Sequence, residues 1–371
     1  MKLPDHWSND LSKRQHRGEY RSLSLSAIGI DFLSNDYLGL AQNIKFQRDL
    51  LQLLHGDSRL LTGATGSRLL SGNSLHCTQT EYFIAQKHQV ESATLFPSGY
   101  KANLALFSCI AGRNHTILVD EYIHRSVHDG CRLSYAKKKK FKHNDVSHLE
   151  DLLSKTKGRV FIAVESLYSM DGDFAPLVEI VTLAEKYSAW VIVDEAHAIG
   201  VFNRGLVNEY GLQDRVLARV VTYGKAFALQ GAAVLGSSTL KNYLINFASP
   251  FIYSTAMPDF QILCIEEAYQ FIEQHPSLRK DLQHNIQYFR QHSVHSLSDD
   301  KSPIQVVQFP SLDHLHQAVG ALKEEGIYTC AIRAPTVEVG YERLRITLHQ
   351  FNSASEIDQL VSIIKNYQHE Y

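Results

Sequence analysis

Residues 190–200 read W-V-I-V-D-E-A-H-A-I-G, and this stretch decides the fold. Trp190 to Val193 is a short run of large apolar and β-branched residues, the pattern of a strand buried on both faces. It stops at Asp194. A carboxylate at the end of a buried strand is costly unless it has a partner, so Asp194 points to a site at that strand end. His197 follows three residues on and can face the same ligand. A metal is one rival partner, but D-E-x-H is not a zinc spacing and no cysteine joins it. The phrase also resembles a helicase-type nucleotide-binding box. That reading needs a G-x-x-x-x-G-K-[ST] loop, which the chain lacks.

The same texture recurs on either side. Ala93 to Phe96, Thr116 to Val119, Val160 to Glu165, Ala218 to Thr222 and Ala232 to Leu235 read as further short apolar strands. Helical spacing predicts helices from Leu75 to Lys87, where Thr78 and Glu81 offer a capped start, from Tyr100 to Ile110, and from Leu177 to Lys186. Apolar strands alternating with helices predict an α/β fold with a mostly parallel sheet covered on both faces. Several strands end in polar chemistry: Asp120, Glu165 with Ser169, Asp194, and Thr222 with Lys225. Open α/β sheets take their ligands outside those strand ends.

The flanks differ. Residues 1–30 are polar with short apolar patches, a helix and an arm, followed by a short strand from Ile30 to Leu33 and the turn formers Asn35, Asp36 and Gly39. Thr62 to Gly72 is a glycine-rich tight loop. Beyond about residue 240 a long helix covers Phe260 to Glu273, strands restart at Ile304 to Phe309 and Leu344 to Leu348, and a helix from about Ser355 ends the chain. The expected division is an arm and helix over 1–41, a large domain over 42–272 and a small α+β domain over 273–371.

Bulk properties exclude several functions. With 37 Lys+Arg against 39 Asp+Glu the net charge is −2, so no global basic field invites nucleic acid. The basic run Lys137 to Lys140 reads as a solvated face, with a weak attraction for an anion of the coenzyme A type as the alternative; no aromatic stacking platform accompanies it. The first residues carry no apolar signal-peptide core, and no segment is long and apolar enough to span a membrane. Five scattered cysteines lack metal-ligand spacing and read as free thiols in a reducing cytoplasm.

Single residues then stand out. Lys225, in V-V-T-Y-G-K-A-F, directly follows an apolar strand and a glycine; burial would lower its pKa and favour Schiff-base chemistry. Ser98-Gly99-Tyr100 lies between a strand and a helix, where backbone N–H groups take a phosphate. His124 follows a strand end and offers a flat ring for stacking. Arg333, in C-A-I-R-A-P-T-V, suits a carboxylate. Arg343 and Arg345 alternate across a strand, so one can face inward; a surface charge or a structural ion pair is the alternative for either.

Together these phrases resemble a known family. D-F-L-S-N-D-Y-L-G-L, G-A-T-G-S-R-L-L-S-G, F-P-S-G-Y-K-A-N, H-N-D, Y-S-M-D-G-D, V-D-E-A-H-A-I-G-V, V-T-Y-G-K-A-F, I-Y-S-T-A-M-P and I-R-A-P-T-V occur in the order and spacing of the α-oxoamine synthases, fold type I enzymes that use pyridoxal 5′-phosphate (PLP). The match runs from about Asp31 to the last helix. It implies a mostly parallel seven-stranded sheet in the large domain and a smaller C-terminal domain. It also implies a decarboxylative condensation of an amino acid with an acyl thioester. Gly224, where several relatives carry serine, favours the biotin-pathway branch, with L-alanine and a pimeloyl thioester carried by CoA or acyl carrier protein. The alternative is a glycine C-acetyltransferase or another family member with a different acyl-CoA.

The resemblance also implies roles. Lys225 would hold PLP as a Schiff base, Asp194 would pair with the pyridine nitrogen, and His197 would bond the phenolic oxygen. His124 would stack on the ring, and Ser169 would sit beside it. Gly99, Tyr100 and Thr222 would meet the phosphate. Arg333 would hold the substrate carboxylate with Thr336 on the same loop, and Arg21 would meet the acyl substrate. The site would lie at a homodimer interface, with Ser254 and Thr255 reaching the partner subunit's phosphate; no metal is implied. The chain departs from the family at R-A-P-T, where two prolines usually follow the arginine, and at Glu338, where proline is usual.

Overall fold

The computed structural model describes residues 4–17, 19–23, 28–334, 337 and 340–368. Its strands are β1 (Ile30–Asp31), β2 (Ser92–Phe96), β3 (His115–Asp120), β4 (Lys137–Phe141), β5 (Arg159–Glu165), β6 (Trp190–Asp194), β7 (Ala218–Thr222), β8 (Ala232–Gly236), β9 (Ile304–Gln308), β10 (Ile327–Tyr328), β11 (Cys330–Ile332) and β12 (Arg343–Thr347). Seven of them form one sheet in the order β2-β8-β7-β6-β5-β3-β4. The stretch from β7 to β4 is parallel, and β8 runs antiparallel to both β7 and β2. Asp120, Glu165, Asp194 and Thr222 therefore finish at one rim of the sheet.

Alternation along the strands explains why both faces are covered. Ile192 packs into one apolar cluster with Ile117, Val119 and Phe161. Its neighbours Val191 and Val193 pack into another, with Leu118, Ile162 and Ile180. Each such side chain contributes about 1.5–3 kcal/mol when fully buried. A third cluster joins the β2–β8 side of the sheet to the C-terminal part of the chain, from Leu95 and Val221 to Ile346 and Ile364.

Helix α1 spans Asp5–His16, α2 Ile44–Gly56, α3 Leu75–His88, α4 Gly99–Cys109 and α5 Arg125–Leu133. The start of α3 corrects the expected cap. Ser74, not Thr78, accepts the Cys77 amide at 3.0 Å, and Glu81 turns inward to Arg68 and to the Leu95 amide, 2.8 Å away. The four lysines of β4 are exposed on the sheet's edge strand, where charge discourages pairing with another chain.

In the C-terminal part, β11, β12 and β9 form an antiparallel sheet. The helices Leu312–Glu324 and Ala354–Gln368 pack against each other there. The N-terminal strand β1 pairs in parallel with β10, Ile30 opposite Ile327. The chain just after the arm is thus held by the C-terminal part before it turns toward the large sheet.

Candidate active site

Lys225 lies just beyond β7, on the loop that returns to β8. Its Nζ sits 2.7 Å from His197 Nε2, and His197 Nδ1 sits 2.6 Å from the Tyr37 hydroxyl. Tyr37 donates to Asn35 Oδ1 at 3.2 Å. The hydrogen-bond network assigns the histidine tautomer: Nε2 accepts from Lys225 and Nδ1 donates to Tyr37. Burial holds His197 well below the usual histidine range, and the Lys225 and Arg345 charges add to that. Burial also lowers Lys225 to about 8, against the pull of Asp194 and Glu165. The amine is poised to be neutral at mildly alkaline pH, as a nucleophile or base requires.

Asp194, 7% exposed, ends β6. Its Oδ1 accepts the Ala196 amide at 3.0 Å and its Oδ2 accepts Asn103 Nδ2 at 2.7 Å. Asn103 also donates to Ser126 Oγ at 3.0 Å, which lies 2.8 Å from His124 Nδ1. One chain of hydrogen bonds thus runs from the strand-end carboxylate to the exposed histidine that caps α5. On the neighbouring strand Glu165 is in register with Asp194. Burial, and then the Asp194 charge, raise its carboxyl to about 8. Its Oε2 accepts the Ser169 amide at 3.3 Å.

Arg345 closes the site from β12. It is 6% exposed. Its guanidinium donates to Ser169 O at 2.7 Å, Asn35 Oδ1 at 2.9 Å and Thr347 Oγ1 at 2.9 Å. Among the described residues no carboxylate forms an ion pair with it, whereas Arg343 is paired with Asp171 at 2.5 Å. A buried guanidinium with neutral partners has charge to offer an incoming carboxylate.

The structure therefore brings together Lys225, His197, Asp194, His124 and Ser169. Gly99 and Thr222 lie against each other: a Cβ on Gly99 would lie 3.4 Å from Thr222 Cβ. Gly99 and Tyr100 open α4, whose first-turn amides have no intrahelical acceptor. Arg333 stands apart, exposed, with Nη1 3.2 Å from His316 Nε2. Arg21 is exposed, on the arm. Ser254 and Thr255 line a separate hollow with Arg68 and Phe251. Thr336 and Glu338 lie outside the described residues. Sequence reasoning did not single out Tyr37, Asn35, Asn103 or Ser126, and it left the choice between Arg343 and Arg345 open. The phrase S-N-D-Y held the signal for Asn35 and Tyr37, polar groups next to an apolar turn.

The chain is similar to known proteins over nearly its whole length. The model of the aminotransferase class I and II family matches residues 27–364. An 8-amino-7-oxononanoate synthase of Lysinibacillus sphaericus is 36% identical over 98% of both chains. The chain belongs to the α-oxoamine synthase branch of the aminotransferase class I and II family. Another such relative, the 8-amino-7-oxononanoate synthase of Emericella nidulans, is 37% identical over 98% of this chain and 96% of its own. Among solved structures, the 8-amino-7-oxononanoate synthase of Francisella tularensis aligns with a TM-score of 0.77 at 29% identity, over 91% of this chain and 97% of that one. A serine palmitoyltransferase variant from S. paucimobilis aligns at 0.87 with 22% identity, over 98% and 96%, and shares the fold.

PLP is the cofactor of this α-oxoamine synthase branch, and the residues present fit it. They supply an amine, a carboxylate at a strand end, a helix N-terminus beside a glycine, and a histidine ring. Among the described residues, two buried polar atoms beside Asp194, Asn103 Oδ1 and Glu165 Oε1, have no hydrogen-bond partner, as expected where a polar group is to be received.

Proposed function

We propose that this protein condenses L-alanine with a pimeloyl thioester, carried by CoA or acyl carrier protein, to give 8-amino-7-oxononanoate, CO2 and the free thiol. Near full-length identity to named 8-amino-7-oxononanoate synthases supports the acyl donor. The observation that carries the amino-acid half is Arg345, a buried arginine with no carboxylate of its own beside Lys225.

PLP, when bound, supplies an electron sink for the bond broken at the amino-acid Cα. The chain's residues do the rest. Lys225 would hold the cofactor and, once the incoming amino group has displaced it, its freed Nζ would take the Cα proton and return it at the end. Asp194 would keep a proton on the pyridine nitrogen, its carboxylate oriented by Asn103 and the Ala196 amide. His197, its ring set by Tyr37, would meet the phenolic oxygen. His124 would offer its ring for stacking, and the first turn of α4 with Thr222 would receive the phosphate. Arg345, with Asn35 and Ser169, orients the substrate carboxylate. Arg333 would serve the mouth of the site, and Arg21 the acyl end. We further infer a cytoplasmic homodimer in which Ser254 and Thr255 serve the neighbouring site.

The test pairs alanine or glycine with pimeloyl-, acetyl- or palmitoyl-CoA, and alanine with pimeloyl-acyl carrier protein. Free thiol and product mass are read together. Turnover with alanine and a pimeloyl donor alone supports the proposal. Preference for glycine with acetyl-CoA, or for palmitoyl-CoA, moves the protein to a sister activity. No condensation with any pair refutes it.

A further inference from the structure

His143 has no part in the chemistry above, yet it stands at the centre of a charged cluster under the site. Its Nδ1 lies 2.9 Å from Asp120 Oδ1 and its Nε2 lies 2.7 Å from Asp173 Oδ2. With a carboxylate at each nitrogen, both nitrogens donate, which requires the imidazolium. Tyr122 stacks on the ring at 4.5 Å and Tyr168 meets it edge-on at 4.4 Å. Asn144 adds a bond from Nδ2 to Asp173 Oδ2, 2.8 Å, and one from its amide to Asp120 Oδ2, 2.9 Å. The His143 amide donates to Glu121 Oε1 at 2.8 Å. Burial opposes the charge, but the bonds to Asp120 and Asp173 raise the ring to about 10.

The two aspartates belong to different loops, and both loops reach the site. Asp120 ends β3, and the four residues after it lead to His124. Asp173 closes the turn that carries Ser169, its carbonyl accepting the Tyr168 amide at 3.0 Å. The same turn touches the small sheet. Asp171 pairs with Arg343 of β12 and its carbonyl accepts Ser298 Oγ, while Gly172, with φ +69°, packs against the Ile304 carbonyl.

We propose that His143 is a positioning residue of the site: held between Asp120 and Asp173, its ring locks the loop bearing His124 to the turn bearing Ser169 and, through Asp171 and Arg343, ties both to the small domain. Replacing it leaves two neighbouring carboxylates facing each other, and the stacking ring and the substrate-carboxylate pocket lose their common reference. The proposal rests on the reading of this site as a PLP site.

The experiment compares wild type, His143→Gln and the milder Asp173→Asn. Visible circular dichroism of bound PLP and alanine affinity are measured on the loaded proteins, and melting on the apo-proteins from pH 6 to 10.5. The titratable groups at the ring are Asp120, Asp173 and the phenols of Tyr122 and Tyr168; Asp171 acts on it by charge, Arg343 is paired with Asp171, and Glu121 accepts the His143 amide. A ring raised from about 6.5 to about 10 stabilises fully below 6.5, and the gain disappears as pH rises to 10. The melting gap between wild type and His143→Gln is therefore widest at pH 6 and closes toward pH 10. The induced band weakens and the alanine Kd rises about tenfold, with Asp173→Asn between. An unchanged band and Kd, or a gap independent of pH, overturns the proposal. If His143→Gln fails to fold, Asp173→Asn decides on the same readouts. A wild-type chain that binds no PLP but keeps the pH-dependent gap overturns the functional reading and leaves the clamp standing.

Discussion

The Lys225 amine and the His197 imidazole face each other at 2.7 Å, both held toward their neutral forms by burial. With the amine lowered to about 8, apo-protein should load PLP faster as pH rises, levelling off above about 8. Absorbance-monitored loading between pH 6 and 10 checks this; a rate that still climbs tenfold per unit at pH 9.5 would place the amine near its ordinary value. Lys225→Ala abolishes the imine band and turnover.

Arg345 is assigned the substrate carboxylate. Arg345→Ala should raise the alanine KM about 100-fold, equivalent to about 2.7 kcal/mol, the scale of a charge-assisted pair. Arg333→Ala should change it less than tenfold. Steady-state kinetics decide, and the reverse ranking would transfer the carboxylate to Arg333.

Tyr37 sets the His197 ring. Tyr37→Phe leaves Nδ1 buried without its partner, a cost of about 1–3 kcal/mol. The melting temperature should fall and kcat drop about tenfold, with the alanine KM nearly constant. A variant as stable and active as the parent would remove Tyr37 from the relay.

Glu165 has the opposite signature. A carboxyl raised to about 8 by burial is carried neutral at pH 7. Its ionisation in the unfolded chain makes folding less favourable as pH climbs from about 4.5 to 8. Glu165→Gln, which never ionises, should therefore gain on the parent across that window and match or exceed its melting temperature at pH 8. Thermal melts at pH 5 and 8 test this; a gap that widens against the variant with pH would mean the carboxylate is the working form.

The large sheet was legible because period and burial agree. Leu177–Lys186 and Ala218–Thr222 fall where spacing puts them, and the other sheet strands read there differ by one residue at one end or, for β3, at both. Lys225, Asp194 and His197 were readable because a polar group at an apolar strand end is expensive without a ligand. Arg345 was not: the expectation set Arg343 and Arg345 on alternate sides of the strand, whereas residues two apart share one face and both are buried. The difference comes from Asp171, which claims Arg343, more than 170 positions away in sequence. The helix Ser277–Gln291, with its mixed polar faces, also escaped notice; its apolar residues are buried in the core cluster it shares with Ala354–Gln368.

The pairing of β1 with β10 carries a consequence for synthesis of the chain. Asn35 leaves the ribosome 310 residues ahead of Arg345, which with the β1–β10 pairing holds that segment in place. The large sheet can form meanwhile from neighbouring strands, whereas contacts of such sequence separation are slow to close. Catalytic competence should therefore arrive as the final event of folding, after the bulk of the secondary structure. A nascent chain arrested short of residue 345 should hold a formed sheet and no capacity to bind an amino acid.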